Sequence, residues 1–198
     1  MFVTFEGIDG SGKSTQAERL AETLRGEGRN VVATREPGGT ELGERIRELV
    51  LGRREMAPWA EAALFAAARA QLVEEVIVPA LERGAHVVCD RYLDSSLAYQ
   101  GIARGLGLER VLELNLHAIR GVLPDRTYLL LIDPAQSVHR LSGESDRIES
   151  EDEQFRTRVD DAYRQLAEAF PQRIVAIDGT RPPAEIAREI LDELRERS

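Results

Sequence analysis

One lysine occurs in this chain, Lys13, and it stands near the end of the run Gly7-Ile8-Asp9-Gly10-Ser11-Gly12-Lys13-Ser14. Apart from three histidines, every other basic side chain is arginine. An ammonium is a compact charge on a flexible stem, whereas a guanidinium is broad and planar. A position that keeps lysine against this bias is one where a narrow turn must admit a cation. The run fits G-x-x-x-x-G-K-[ST]. There, successive backbone N–H groups and the N-terminal end of the next helix cradle phosphates, the lysine reaches the β- and γ-phosphates, and the final hydroxyl meets Mg²⁺. Ser14 supplies that hydroxyl and Thr15 follows it. Farther on, Val87-Val88-Cys89 runs into Asp90-Arg91-Tyr92. An aspartate ending an apolar strand beside a phosphate loop is either part of the Mg²⁺ shell or a cap for the next turn. Arg91 either points over the sheet edge or forms a surface ion pair. Phe65 and Arg69 are four residues apart on a helical pattern and share a face. By period alone, that pair reads as core packing beside a solvated arginine.

The elements that must hold these residues are legible. Five β-rich runs, Phe2–Glu6, Val31–Arg35, His86–Asp90, Thr127–Asp133 and Ile174–Asp178, alternate with helical stretches. Their apolar residues are continuous rather than alternating, as in strands covered on both faces. The helical stretches are Ser14–Glu27, Thr40–Leu51, Pro58–Arg83, Asp94–Ala103, Leu108–Arg120, Pro134–Leu141, Glu151–Ala169 and Pro182–Arg197. Glycines 28, 52, 84 and 121 stop four of them. Strands alternating with helices predict an α/β fold with a parallel sheet. Ligands of such sheets gather outside the C-terminal strand ends. Here those ends carry the phosphate loop, Arg35-Glu36-Pro37, Asp90-Arg91-Tyr92, Asp133-Pro134 and Asp178-Gly179.

Composition narrows the partners. A net charge of −9 over 198 residues argues against a nucleic-acid binder, whose footprint is a basic face. No apolar run approaches the length of a membrane span. The single cysteine, Cys89, lies in an apolar run and cannot form an intrachain disulfide, which points to a buried small hydrophobe and a reducing cytoplasm. His86, His117 and His139 show no metal-ligand spacing. An Asn-Lys-x-Asp guanine reader, which a GTPase switch needs, is excluded because Lys13 is the sole lysine.

Four blocks carry a family resemblance. They are Phe5 to Asp9 running into Gly12 to Gln16, then Thr34-Arg35-Glu36-Pro37-Gly38-Gly39-Thr40, then Asp90 to Gly101, and last Asp146-Arg147-Ile148-Glu149. In this order they resemble the thymidylate kinases, the last block resembling the lid of the bacterial members. The resemblance implies a three-layer P-loop kinase fold: a five-stranded parallel sheet flanked by helices, one domain over 1–198 with a short lid at about 140–150. It implies transfer of the γ-phosphoryl of ATP to dTMP with Mg²⁺, giving dTDP and ADP. It also implies a homodimer, with candidate faces on Pro58–Arg83 and Leu108–Arg120.

Roles follow from the same resemblance. Lys13 and the loop from Gly7 through Ile8, Asp9, Gly10, Ser11 and Gly12 to Ser14 and Thr15 bind ATP, with Arg140 from the lid. Ser14 and Asp90 hold the metal. Phe65 stacks on thymine and Arg69 hydrogen-bonds a base carbonyl, with Ser96, Gln100 and Pro37 near the base. Tyr99 packs under the deoxyribose, and Asp9 lies near the 3′-hydroxyl. Arg91, helped by Arg35, meets the acceptor phosphate. Some family members carry an arginine inside the phosphate loop. Here the variable positions Ile8, Asp9, Gly10 and Ser11 bear no positive charge. The missing charge is therefore expected from the lid, from Arg147 after a mobile Gly143 or from Arg140.

Overall fold

A computed structural model describes residues 1–52, 54–140 and 146–196. Five parallel strands form one sheet: β1 (Phe2–Glu6), β2 (Val31–Arg35), β3 (His86–Asp90), β4 (Arg126–Leu131) and β5 (Ile174–Asp178). Their spatial order is β2-β3-β1-β4-β5, so β1 is central and the order of strand addition switches sides there. The register pairs Phe5 with Asp90 and Glu6 with Leu129, which aligns the C-terminal ends of the inner strands.

Helices cover both faces because successive strand residues point to opposite sides. Val3 and Phe5 of β1, Val88 of β3 and Leu130 of β4 pack against α1 (Lys13–Gly26) and α9 (Pro183–Glu196). Phe2, Val87, Cys89 and Leu129 point the other way. They enter a larger core with α3 (Pro58–Leu72), α4 (Val78–Glu82), α5 (Leu93–Ser96), α6 (Leu108–Ala118) and α8 (Glu153–Ala169). Cys89 is buried there, as its apolar setting suggests. The outer strands depart from the expectation of full coverage. In β2, Val31 and Val32 are only partly buried and Ala33 is exposed. In β5, Val175 is partly buried and Ala176 exposed, because each strand lies at a sheet edge.

Several boundaries shift for local reasons. Thr40 does not enter α2 (Glu41–Leu51) but caps it, its hydroxyl accepting from the Gly43 N–H at 2.9 Å. Asp152 caps α8 in the same way, accepting from Phe155 N–H at 2.7 Å, so that helix starts at Glu153. The stretch read as one helix from Pro58 to Arg83 widens into a π-helical turn at Val73–Ile77 between α3 and α4. The stretch after β3 widens likewise, α5 passing into a π-helical segment at Leu97–Ala103. The helix α7 is described over Pro134–Arg140. Gly143 and its neighbours from 141 to 145 lie outside the described residues.

Candidate functional site

Between β1 and α1 the chain turns back over the central strand, and glycine is required there. Gly7 has φ +137°, and a Cβ on it would fall 2.4 Å from the Leu130 carbonyl oxygen. Gly10 has φ +78°, and a Cβ there would fall 2.6 Å from the carbonyl oxygen of Ser137 in α7. The loop therefore lies flush against β4 on one side and α7 on the other, with α1 starting at Lys13. The Lys13 ammonium donates to the Ile8 carbonyl at 2.9 Å and lies 3.7 Å from the Asp9 carboxylate. Burial, reinforced by the like charge of Arg91, lowers the Lys13 pKa to about 8, with Asp9 opposing. Anionic phosphate in the loop would return the charge to full strength.

Ser14 donates its hydroxyl to Asp90 Oδ2 at 2.5 Å, while Asp90 Oδ1 is buried with no hydrogen-bond partner. A hydroxyl and a carboxylate meeting at the mouth of a phosphate loop, with one buried oxygen left over, are a donor set suited to Mg²⁺ and its water. Around them opens a wide cleft running past Gln16 and Arg140 to Gly179 and Pro183. Arg140 projects from the end of α7 and donates to the Gly179 carbonyl at 3.0 Å. Gln16 donates to the Pro183 carbonyl at 3.0 Å and leaves its own carbonyl oxygen buried and unpartnered.

A second, smaller cavity lies beside the first. Phe65 from α3, Tyr99 and Gln100 from the π-helical segment, Ser96, Pro37 and Ile148 line it. Its lining has the make-up of a small-molecule site, where apolar walls carry a few placed polar groups. Asp9, Glu36, Arg47, Arg91 and Glu149 line both cavities, so the two spaces meet across a charged wall.

Arg91 dominates that wall. It adopts φ +68°, a conformation uncommon for a bulky residue. Such strain persists only where surroundings over-determine it, and it clusters at functional sites. Here its N–H donates to the Phe5 carbonyl at 2.9 Å, and its guanidinium donates to Gly7 O at 3.1 Å, Ser95 Oγ at 3.1 Å and Tyr163 Oη at 3.2 Å. It also pairs with Asp9 and lies 5.5 Å from the Tyr99 ring centre. Burial alone would raise the Asp9 carboxyl, but Arg91 and then Lys13 outweigh it and hold the pKa at about 2. Beneath, Glu6 at the end of β1 is fully buried. It accepts from Tyr92 N–H at 2.8 Å, Ser95 Oγ at 2.6 Å and Tyr163 Oη at 2.9 Å, which anchors the turn after β3.

Three sequence candidates sit differently from their expected roles. Arg69 is 1% exposed and does not line the smaller cavity. Its Nε donates to Glu36 at 2.7 Å, Nη1 to Ser96 Oγ at 2.9 Å and to Asn115, and Nη2 to the Tyr92 carbonyl at 2.9 Å, with Glu36 2.6 Å away. Those contacts account for the five N–H groups of a guanidinium, so a base carbonyl would have to displace one of them. Arg35 is half exposed, pairs with Glu44 at 3.0 Å and lines only the larger cleft. Arg147 lines neither cavity. Its Nε donates to the Val50 carbonyl at 3.0 Å and its Nη2 pairs with Glu61 at 2.7 Å. In this arrangement Arg140, not Arg147, lies beside the phosphate loop.

Sequence reasoning missed Arg47, Glu36 and Glu149 on the shared wall. Glu36 and Glu149 lie inside the blocks quoted above and could have been picked from them. Arg47 is one of several arginines on an ordinary amphipathic helix and carries no local signal. Burial pushes the Glu36 carboxyl up to about 7, against the pull of Arg69, and its Oε1 is buried without a partner.

Comparison with known proteins agrees with this geometry. The sequence model of a family described as thymidylate kinase matches residues 5–190. A thymidylate kinase of Bifidobacterium longum (strain NCC 2705) is 51% identical over 99% of this chain and 98% of its own length. One from Deinococcus radiodurans is 48% identical over 100% of this chain and 97% of its own length. A crystal structure of thymidylate kinase from Ehrlichia chaffeensis superposes with a TM-score of 0.80 at 34% identity, covering 98% of both chains.

Proposed function

The chain belongs to the thymidylate kinase family, whose members phosphorylate dTMP to dTDP using ATP, and we propose that its larger cleft takes ATP and its smaller cavity dTMP. The observation that carries this assignment is the shared wall. Asp9, Glu36, Arg47, Arg91 and Glu149 border both spaces, so two phosphates entering from opposite sides meet there.

Phosphoryl transfer asks for alignment and charge neutralisation rather than covalent help. On the donor side, Lys13 and the loop amides from Gly7 to Thr15 hold the ATP phosphates, and Arg140 adds positive charge from the end of α7. Ser14 and Asp90 hold Mg²⁺, whose role when bound is to neutralise charge on the triphosphate. On the acceptor side, Arg91 and Arg47 face the dTMP phosphate. A phosphate oxygen is already ionised, so no general base is required. Phe65 stacks on the flat face of thymine, Pro37 and Gln100 border the base, and Arg69 orients Ser96 from behind by donating to its hydroxyl. Tyr99, whose hydroxyl lies 3.4 Å from Asp9, supports the deoxyribose, and Asp9 sits near its 3′-hydroxyl.

Exposed apolar side chains support a homodimer. Leu42 and Leu49 of α2, Trp59 of α3 and Leu116 of α6 lie outside the core, and α3 packs against both of the other helices. No described helix is long and apolar enough to cross a membrane, and the buried free thiol of Cys89 suits a reducing cytoplasm.

A coupled ADP-release assay with ATP, Mg²⁺ and a panel of nucleoside monophosphates tests the assignment. Turnover with dTMP and little with AMP, CMP or GMP is the expected result. Preference for a purine or for CMP would overturn it.

A further inference from the structure

Four side chains from separate parts of the chain converge behind the smaller cavity, and only Gln100 among them lines it. Glu61, in the first turn of α3, is 1% exposed. Its Oε1 accepts from Gln100 Nε2 at 2.9 Å and from Arg104 Nε at 3.3 Å. Its Oε2 meets Arg104 Nη2 at 3.2 Å and Arg147 Nη2 at 2.7 Å. Arg104 reaches on to Glu151 at 2.5 Å and lies 4.4 Å from the ring centre of Phe155. Arg147 is also fixed through its backbone, its N–H donating to the Leu51 carbonyl at 3.1 Å.

These contacts join two walls of the acceptor cavity. Gln100 lines one wall directly, and the segment carrying Arg147 supplies Asp146, Ile148 and Glu149 to the other. Each wall is bound to the same buried carboxylate. Withdrawing Arg147 toward ATP would break a buried ion pair and two bonds to the end of α2, which is costly for a group already out of water.

We propose that Glu61 is a positioning residue for the acceptor pocket, holding its two walls in register through Gln100 and Arg147, and that Arg147 acts as a strut there rather than as a charge on the transferring phosphoryl. This rests on the reading of the smaller cavity as the dTMP site. Loss of the tie moves Ile148 and Glu149 away from Tyr99 and Gln100. That loosens the grip on dTMP and leaves the phosphate loop, Lys13 and Arg140 where they are. A group that holds the ground state and the transition state equally changes KM, whereas one used only in the transition state changes kcat.

The test is steady-state kinetics of the whole enzyme for Glu61→Gln, Arg147→Ala, Arg147→Lys and the Glu61→Gln/Arg147→Ala double variant, with Phe65→Ala as the marker for the acceptor site. The expected result is a rise in the KM for dTMP of roughly tenfold in Glu61→Gln and Arg147→Ala, the scale on which small misplacements act. The KM for ATP and kcat stay within about threefold. Arg147→Lys recovers part of the loss, and the double variant is no worse than the poorer single one, because both remove the same tie. A fall in kcat of about a hundredfold in Arg147→Ala with dTMP KM unchanged would return Arg147 to the phosphates and overturn the proposal. Equal loss of ATP and dTMP binding would make the cluster merely structural and overturn it too. If Phe65→Ala weakens dTMP while Glu61→Gln and Arg147→Ala do not, the positioning role fails alone. If none of the three affects dTMP, the acceptor assignment fails with it. Should Glu61→Gln not fold, Arg147→Ala and Arg147→Lys carry the same discrimination from the rim of the cluster.

Discussion

The proposed donor cleft and acceptor pocket lie side by side but are built in opposite ways. The donor cleft centres on one contiguous loop and the start of α1, with Asp90 Oδ1, Ser11 Oγ and Gln16 Oε1 buried there and unpartnered. The acceptor pocket draws on residues from 9 to 149, and most of its polar groups are already engaged, as Arg91, Ser96 and Gln100 are. A loop whose donors and acceptors stand waiting suits a ligand that brings its own charge and metal. A pocket whose groups are pre-tied suits a small, largely flat ligand that must be recognised by shape.

That contrast can be broken at its strongest point first. Lys13→Ala should lower kcat on the order of 10³-fold, because the proposed donor site places this positive charge on the phosphates themselves. Circular dichroism should show the fold intact. Lys13→Arg should fail nearly as badly, since a planar fork does not fit where the ammonium touches the Ile8 carbonyl at 2.9 Å. Near-normal turnover by Lys13→Arg would mean that the loop tolerates any cation.

The acceptor side should respond more gently and in binding. Phe65→Ala is expected to weaken dTMP by about 1–3 kcal/mol, the scale of base–aromatic stacking. ATP affinity measured by calorimetry should not change. Phe65 also packs against Ile46, Val50 and Ala68. A drop in thermal stability with unchanged dTMP affinity would therefore make it a core residue.

The smallest effect sharpens the boundary between the two regions. Asp9 borders both, and its carboxyl is held at about 2, below its ordinary 3.8. A depressed acid contributes stability that is present above its unfolded pKa and lost as pH falls through the folded one. With the side chain 32% exposed, solvent screening leaves about 1–2 kcal/mol. The stability gap between the parent and Asp9→Asn in urea should be constant between about pH 5 and 7 and shrink below about pH 4. A gap unchanged at about pH 2.5 would show that the pairing with Arg91 and Lys13 is not its source.

The same contrast governs what could be read before any coordinates. Lys13, Ser14, the strand before their loop and the helix they open form a local pattern, and the parallel sheet follows from five apolar runs. The acceptor pocket has no such signature. Phe65 and Arg69 share a helix face, yet only one of them lines the cavity. Arg47 looks like any arginine on a solvated helix until α2 is seen turning it toward Pro37, whose carbonyl it bonds at 3.0 Å. The π-helical turns were invisible because a 3.6-residue period fits them almost as well as an α-helix. The argument about missing charge names Arg147 and Arg140 alike, and here Arg147 pairs with Glu61. Its partner, Glu61, lies 86 positions earlier, and nothing local links the two.

The contact between Gly10 and α7 has a consequence for how such an enzyme changes over generations. The Ser137 carbonyl stands where a side chain at position 10 would begin, and α7 ends in Arg140, the cation beside the phosphate loop. One short helix therefore both bars an arginine from the loop and delivers one from its own end. A lineage cannot exchange the second arrangement for the first by a single substitution, since an arginine at position 10 collides before it can serve. The helix must first withdraw, and withdrawal takes Arg140 with it.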